Sequence, residues 1–280
     1  MLRIEHTYVC SVRTEPSRTA MLTATARAWH VLLNGPRALL QDWMAWPLLG
    51  PDAETSLELA RGVMGDHTAD LATWIAARTR LSEDWLTASK AEQYLILGAG
   101  LDTFAWRQAG AIEVHEFDHP STQGWKRDRL RKLGVPSPEA LTMTEVNFEE
   151  QSVTDALQAS PVDLARPIFV NWLGVLQYLT TDAIIETLKG LPPCLAAIGY
   201  CLPESDAEWR SEVAAFLRTL AAIGEPFITL TTPHETAELL AAAGFRVLED
   251  LGPGDVAARF GLSCVSPERI ALAEKASTGR

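Results

Sequence analysis

Three small residues, Gly98-Ala99-Gly100, break an apolar run that begins at Tyr94, and a carboxylate, Asp118, follows about twenty positions on. Glycine lacks the Cβ that would hold a ligand off the backbone. An acid at the end of the following strand accepts hydrogen bonds from a ribose diol. Together they read as a site for an adenosine-bearing ligand.

Two cofactors carry adenosine in this way. A nicotinamide dinucleotide asks for a third small residue after the second glycine, and Thr103 stands there instead. The glycine turn also lies behind roughly ninety residues of helical pattern, unusual for a simple dehydrogenase but natural where a cap closes over a substrate. S-adenosyl-L-methionine is therefore the expected cofactor. The same stretch, His115-Glu116-Phe117-Asp118-His119, is a poor metal site: on a strand His115, Phe117 and His119 share one face, and Glu116 and Asp118 the other. No metal is expected. No serine stands in a G-x-S-x-G elbow, which leaves hydrolysis without support. Cys10, Cys194, Cys201 and Cys264 lack CxxC spacing and read as reduced thiols.

Positioning such a turn takes an α/β sheet, and the hydropathy pattern supplies one. Residues up to about 90 read as helical, with helices opening at Pro16-Ser17 and covering Glu54 to Val63 and Asp66 to Ala77. From Gln93 short apolar runs alternate with amphipathic ones. Strands fall at Tyr94 to Leu97, Glu113 to Phe117, Leu141 to Val146, Pro167 to Trp172, Leu195 to Cys201 and Phe245 to Leu251. Helices fall at Leu101 to Gln108, Thr122 to Leu133, Val153 to Gln158, Thr181 to Leu188, Asp206 to Ile223 and Pro233 to Ala243. That order predicts a Rossmann-like parallel sheet with helices on both faces, binding its ligand at the C-terminal strand ends. The expected division is a helical cap over 1–90 and an α/β domain over 91–280.

The 280 residues carry 24 basic and 36 acidic side chains, a net charge of −12. That balance excludes nucleic acid and anionic membranes as partners, since both need local positive potential. No leader or spanning run is evident, so a cytoplasmic protein with a small-molecule substrate is expected. Of the nine tryptophans, Trp43 and Trp46 are the favoured candidates for lining a substrate pocket.

Ordered motifs extend these readings: Ser17-Arg18-Thr19-Ala20, Arg78-Thr79-Arg80, Leu97 to Thr103, Trp106-Arg107, Glu116 to Pro120 and Lys126 to Leu130. Trp172-Leu173-Gly174-Val175 with Tyr178-Leu179-Thr180, Gly224 to Phe227, and Ala243-Gly244-Phe245 with Glu249 to Gly252 complete the series. From Pro16 to about Ala273 the chain thereby resembles the leucine carboxyl methyltransferase-like family of class I S-adenosylmethionine-dependent methyltransferases, notably its bacterial O-methyltransferase branch.

The resemblance implies a role for each site residue. Gly98, Ala99 and Gly100 would pass under the cofactor and Asp118 would hold its ribose. Arg78 and Arg18 would neutralise its methionine carboxylate, a task suited to a guanidinium fork. Asn147-Phe148 stands where the family has an Asp and an apolar residue reading the adenine edge. Leu173 stands where eukaryotic members have a Glu. Tyr178 would touch the acceptor, and His119 would lie beside the adenosine.

Methyl transfer from a sulfonium is an in-line displacement that needs positioning and shielding from water rather than a covalent intermediate. A carboxylate acceptor needs no general base. A hydroxyl needs one, with His119, Tyr178 and His234 as the candidates. The expected function is O-methylation of a small-molecule carboxylate or hydroxyl, by resemblance in bacterial secondary metabolism. The alternatives are a cofactor-binding relative without methyl transfer, acting as a non-redox cyclase or a regulatory protein, and a nicotinamide-dependent oxidoreductase.

Overall fold

The structure, a computed structural model, describes residues 17–65, 68–108, 110, 112–203, 210–222, 224–264 and 266–277. Cys10 and the beginning of the helix expected at Asp206 lie outside them.

Four helices come first: α1 (Arg18–Asn34), α2 (Ala45–Leu49), α3 (Ala53–Met64) and α4 (Thr68–Ser89). Ser17 caps α1 through its side chain, which accepts from the Ala20 N–H at 3.4 Å. The strands are β1 (Gln93–Leu97), β2 (Glu113–Asp118), β3 (Leu141–Glu145), β4 (Ile168–Trp172), β5 (Cys194–Cys201), β6 (Phe245–Leu251) and β7 (Glu268–Lys275). The later helices are α5 (Phe104–Arg107), α6 (Pro120–Lys132), α7 (Val153–Gln158), α8 (Thr181–Gly190), α9 (Arg210–Ala222), α10 (Pro233–Ala242) and α11 (Pro253–Phe260).

One seven-stranded sheet results, ordered β3-β2-β1-β4-β5-β7-β6. β1 through β5 pair in parallel, while β7 runs antiparallel between β5 and β6. The sheet is thus mixed rather than wholly parallel. Every residue of β1 and β4 is buried, as central strands covered on both faces must be. Alternation along β1 divides the core: Tyr94 and Ile96 join the cluster under α1, α2 and α4, and Leu95 and Leu97 the cluster containing Val153, Ile184 and Leu240. The strand order reverses between β1 and β4, and the crevice at their C-terminal ends is the place for a ligand.

Three local differences from the sequence expectation have clear causes. The helix expected at Leu101 starts only at Phe104, because Asp102 Oδ1 accepts the Phe104 N–H at 2.7 Å and holds the preceding residues in a turn. α4 runs on to Ser89 instead of stopping near Ala77, and its added turns carry Arg78, Ser82 and Trp85 into the core. β7, Glu-Arg-Ile-Ala-Leu-Ala-Glu-Lys, is composed of good helix formers, yet pairing with β5 and β6 makes it a strand.

Candidate functional site

The glycine turn closes directly after β1. Gly98 and Gly100 have φ of +68° and +55°, a conformation that disfavours side chains. A Cβ on Gly98 would lie 2.5 Å from Val175 Cγ2, and one on Gly100 would lie 3.1 Å from Ala20 Cβ in α1. The turn is therefore packed between the segment after β4 and the first turn of the cap. Asp118, at the end of β2, accepts from the Gly100 and His119 backbone N–H groups. Burial raises its pKa, and those two amides oppose the rise by stabilising the charge.

Across the crevice stands a buried ion pair. Arg78, in mid-α4, donates through Nη1 to Glu268 Oε1 at the start of β7. Trp74, one turn earlier in α4, donates Nε1 to Glu268 Oε2 at 2.7 Å. Arg78 Nε is buried without a hydrogen-bond partner among the described residues. Gly174 has φ +71°, and a Cβ there would lie 2.9 Å from Arg78 Nη2, so the guanidinium lies against the backbone just past β4.

At the other end the chemistry is apolar. Tyr178 and Phe227 meet edge to face, with centroids 5.2 Å apart and planes at 88°. Leu22, Leu71 and Leu220 face the same space from α1, α4 and α9. Glu225 ties this end to the cap, since its Oε1 accepts the Arg18 N–H at 3.0 Å and the Ser17 Oγ–H at 3.2 Å. Burial pushes the Tyr178 phenol well above its ordinary range.

One cavity of about 300 Å³ joins the two ends, at the small end of ordinary ligand sites. It gathers Arg78, Gly98, Ala99, Gly100, Asp118, Leu173 and Tyr178 from the residues expected in sequence. Arg18, His119, Asn147 and Phe148 are outside its lining. Arg18 is exposed at the start of α1. His119 caps α6, with Nδ1 bonded to Ser121 Oγ at 2.8 Å. Asn147 Oδ1 accepts the Glu149 N–H at 3.1 Å, closing a turn on itself, and Phe148 packs against the core. Trp43 and Trp46 are 58% and 36% exposed, and it is Trp74 that lines the cavity. Glu268 has no place among the sequence motifs, and Glu225 stands in one, Gly224 to Phe227, without an expected role. Trp74 sits four residues before Arg78, on the same helical face, but Glu268 is 190 positions away from Arg78 and carries no such signal.

Buried charges support the site from below. Lys126 Nζ bonds Glu116 Oε2 at 2.6 Å with both side chains fully buried. Burial pushes the Glu116 carboxyl up to about 7, although Lys126 pulls the other way. Arg27 of the cap bonds Asp42 Oδ2 at 2.7 Å and the Leu101 carbonyl at 2.6 Å, which fixes α1 to the loop after the glycine turn. His115 Nδ1 is bonded to Thr142 Oγ1 at 2.7 Å.

The switch-point crevice, the glycine turn, Asp118 at the end of β2 and the helices packed over them form an α/β ligand site, and similarity to known proteins makes the chain an S-adenosyl-L-methionine-dependent methyltransferase. The family model described as leucine carboxyl methyltransferase matches residues 20–191, and the chain belongs to that family. It is 28% identical over 279 residues, 87% of this chain and 91% of the relative, to "Putative S-adenosyl-L-methionine-dependent methyltransferase YktD" of Bacillus subtilis strain 168. It is 32% identical over 221 residues, 71% of each chain, to the similarly named MT0851 of Mycobacterium tuberculosis strain CDC 1551 / Oshkosh. Among solved structures, a DUF574-family protein of Streptomyces avermitilis MA-4680 aligns with TM-score 0.62 and 16% identity, covering 94% of this chain and 98% of that one. A structure from Thermobifida fusca YX, titled a putative methyltransferase, aligns with TM-score 0.60 and 15% identity over 94% and 96%. Both similarities are of fold.

Proposed function

We propose that this methyltransferase transfers the cofactor's methyl group to an oxygen of a small molecule, with a carboxylate as the favoured acceptor. The observation that carries the reading is a continuous cavity whose polar end holds the glycine turn, Asp118 and Arg78 while its apolar end holds Tyr178 and Phe227. The residues on the cavity wall fit the cofactor: Asp118 is a carboxylate for the ribose, the Gly98-Ala99-Gly100 turn lies on the same wall, and the Arg78 guanidinium is a cation for the methionyl carboxylate. When bound, S-adenosylmethionine supplies an electrophilic methyl on a sulfonium. The chain's own residues then orient the acceptor and exclude water.

The preference for a carboxylate rests on the candidate bases. Tyr178 is held neutral by burial. His119 is outside the cavity lining, and His234 is exposed, with Nε2 3.4 Å from Glu238. An acceptor that arrives ionised needs none of them. In this reading residues 1–90 form the cap over an α/β unit spanning 91–280, and the acceptor belongs to secondary metabolism. No helix among the described residues is long and apolar enough to cross a membrane.

The test begins with parallel calorimetric titrations of S-adenosylmethionine, S-adenosylhomocysteine and NADH. Binding of the two sulfur ligands alone is expected, and NADH binding alone would overturn the cofactor. Incubation with methyl-labelled cofactor and panels of carboxylic acids and phenols follows. Label released by mild base marks a methyl ester, while base-stable label marks an ether and sinks the carboxylate preference. Cofactor binding without transfer to any acceptor would favour the non-catalytic alternative.

A further inference from the structure

The methionyl end of the cofactor is a zwitterion, with a carboxylate and an ammonium on the same carbon. A guanidinium answers only one of these charges. Burying the other without an acceptor would cost the ligand its hydration with nothing in return.

The crevice holds a second charge beside the first. Glu268 lines the cavity, is 5% exposed and touches Arg78 directly. Its position is defined by backbone: a Cβ on Gly199 of β5 would lie 2.7 Å from Glu268 Oε1 and 3.3 Å from both Gly174 N and Leu173 Cα. Only glycine at 199 leaves room for this carboxylate against the chain just past β4. At the strand end Leu173 and Gly174 carry no acceptor side chain, Asn171 Oδ1 already accepts from Ser82, and the amide of Gln177 is uncharged, so Glu268 is the anion beside Arg78. Glu268 accepts one hydrogen bond on each oxygen, from Arg78 and from Trp74, and each oxygen keeps a further lone pair.

We propose that Glu268 binds the ammonium of the cofactor's methionyl group while Arg78 binds its carboxylate, the buried pair acting as a neutral complement to a zwitterion. This rests on the cofactor reading above. A lone arginine would favour simple anions, whereas the pair favours a ligand carrying both charges. Trp74 fixes the Glu268 rotamer and is a positioning residue.

The experiment is a ligand–mutant cycle by calorimetry, using S-adenosylhomocysteine, its desamino analogue and 5′-methylthioadenosine, which lacks the whole amino-acid end. The wild-type protein should bind the desamino ligand roughly 10- to 100-fold more weakly than S-adenosylhomocysteine, the scale of one charged hydrogen bond. Glu268→Gln should bring those two affinities together and leave 5′-methylthioadenosine unchanged. Equal weakening of all three ligands would mean that Glu268 only supports the fold, and would overturn the proposal. Equal loss of the two carboxylate-bearing ligands, with their ratio kept, would reduce Glu268 to positioning Arg78 and overturn it as well. Equal wild-type affinity for the amino and desamino ligands overturns it without any variant. If S-adenosylhomocysteine does not bind the wild-type protein, it is the cofactor reading that has failed.

Discussion

The two ends of the cavity are built in different ways. The polar end, where we propose the cofactor binds, is anchored to strand termini: the glycine turn follows β1, Asp118 ends β2 and Glu268 begins β7. Its side chains are held by backbone amides or by opposite charges, so their geometry is that of the sheet. The other end, proposed for the acceptor, is apolar and assembled from α1, α4, α9 and the segments carrying Tyr178 and Phe227. A common cofactor demands fixed hydrogen-bond directions, whereas an acceptor pocket needs volume and exclusion of water, which helices can supply with many different side chains.

The strongest challenge to this contrast concerns the charges beneath the cofactor end. The Glu116 carboxyl titrates at about 7 in the folded chain against an ordinary 4.5. Between those values the folded state holds a proton that the unfolded state has lost. The stability contributed by Glu116 is therefore full below 4.5 and declines as pH rises to about 7. Lys126→Met removes the cation that offsets this decline. Urea unfolding should find the variant close to wild type near pH 5 and about 3–5 kcal/mol less stable near pH 9, where a buried carboxylate lacks its partner. A cost independent of pH would mean that the pair matters only for packing.

Next in size are Asp118→Ala and Arg78→Ala, each expected to weaken S-adenosylmethionine binding by about 1–3 kcal/mol in calorimetry. Unchanged affinity in both would remove the polar end from the cofactor site. Phe227→Ala should do the reverse, leaving cofactor affinity as it was and raising the acceptor KM by about 1 kcal/mol in equivalent free energy. If Phe227→Ala instead weakens the cofactor, the two ends are not separate. The smallest effect belongs to Asn147→Ala, whose side chain closes its own turn and is outside the cavity lining. Its cofactor affinity should stay within about 0.5 kcal/mol of wild type. A larger loss would restore the adenine-reading role implied by resemblance.

Much of the polar end was legible in the sequence because it is local. Gly98, Gly100 and Asp118 belong to one strand-turn-helix-strand unit, in which an apolar run, two glycines and a spaced acid identify each other. Arg78 was visible only through its motif, since its helical pattern gave no reason to expect a buried guanidinium. Arg18, His119, Asn147 and Phe148 stood in the right motifs, yet their side chains cap helices, close turns or fill the core, or in the case of Arg18 lie exposed.

The sequence by itself determined the alternation of strands and helices, the position of the glycine turn and the class of ligand that such a turn accepts. These depend on hydrophobic period and backbone freedom over a few residues, which are local properties. Only the tertiary structure decided that 268–275 is a strand between β5 and β6, that Glu268 meets Arg78, and that Trp74 rather than Trp43 or Trp46 faces the cavity. Those outcomes depend on contacts between segments far apart in the chain, where burial and pairing override what each segment favours alone.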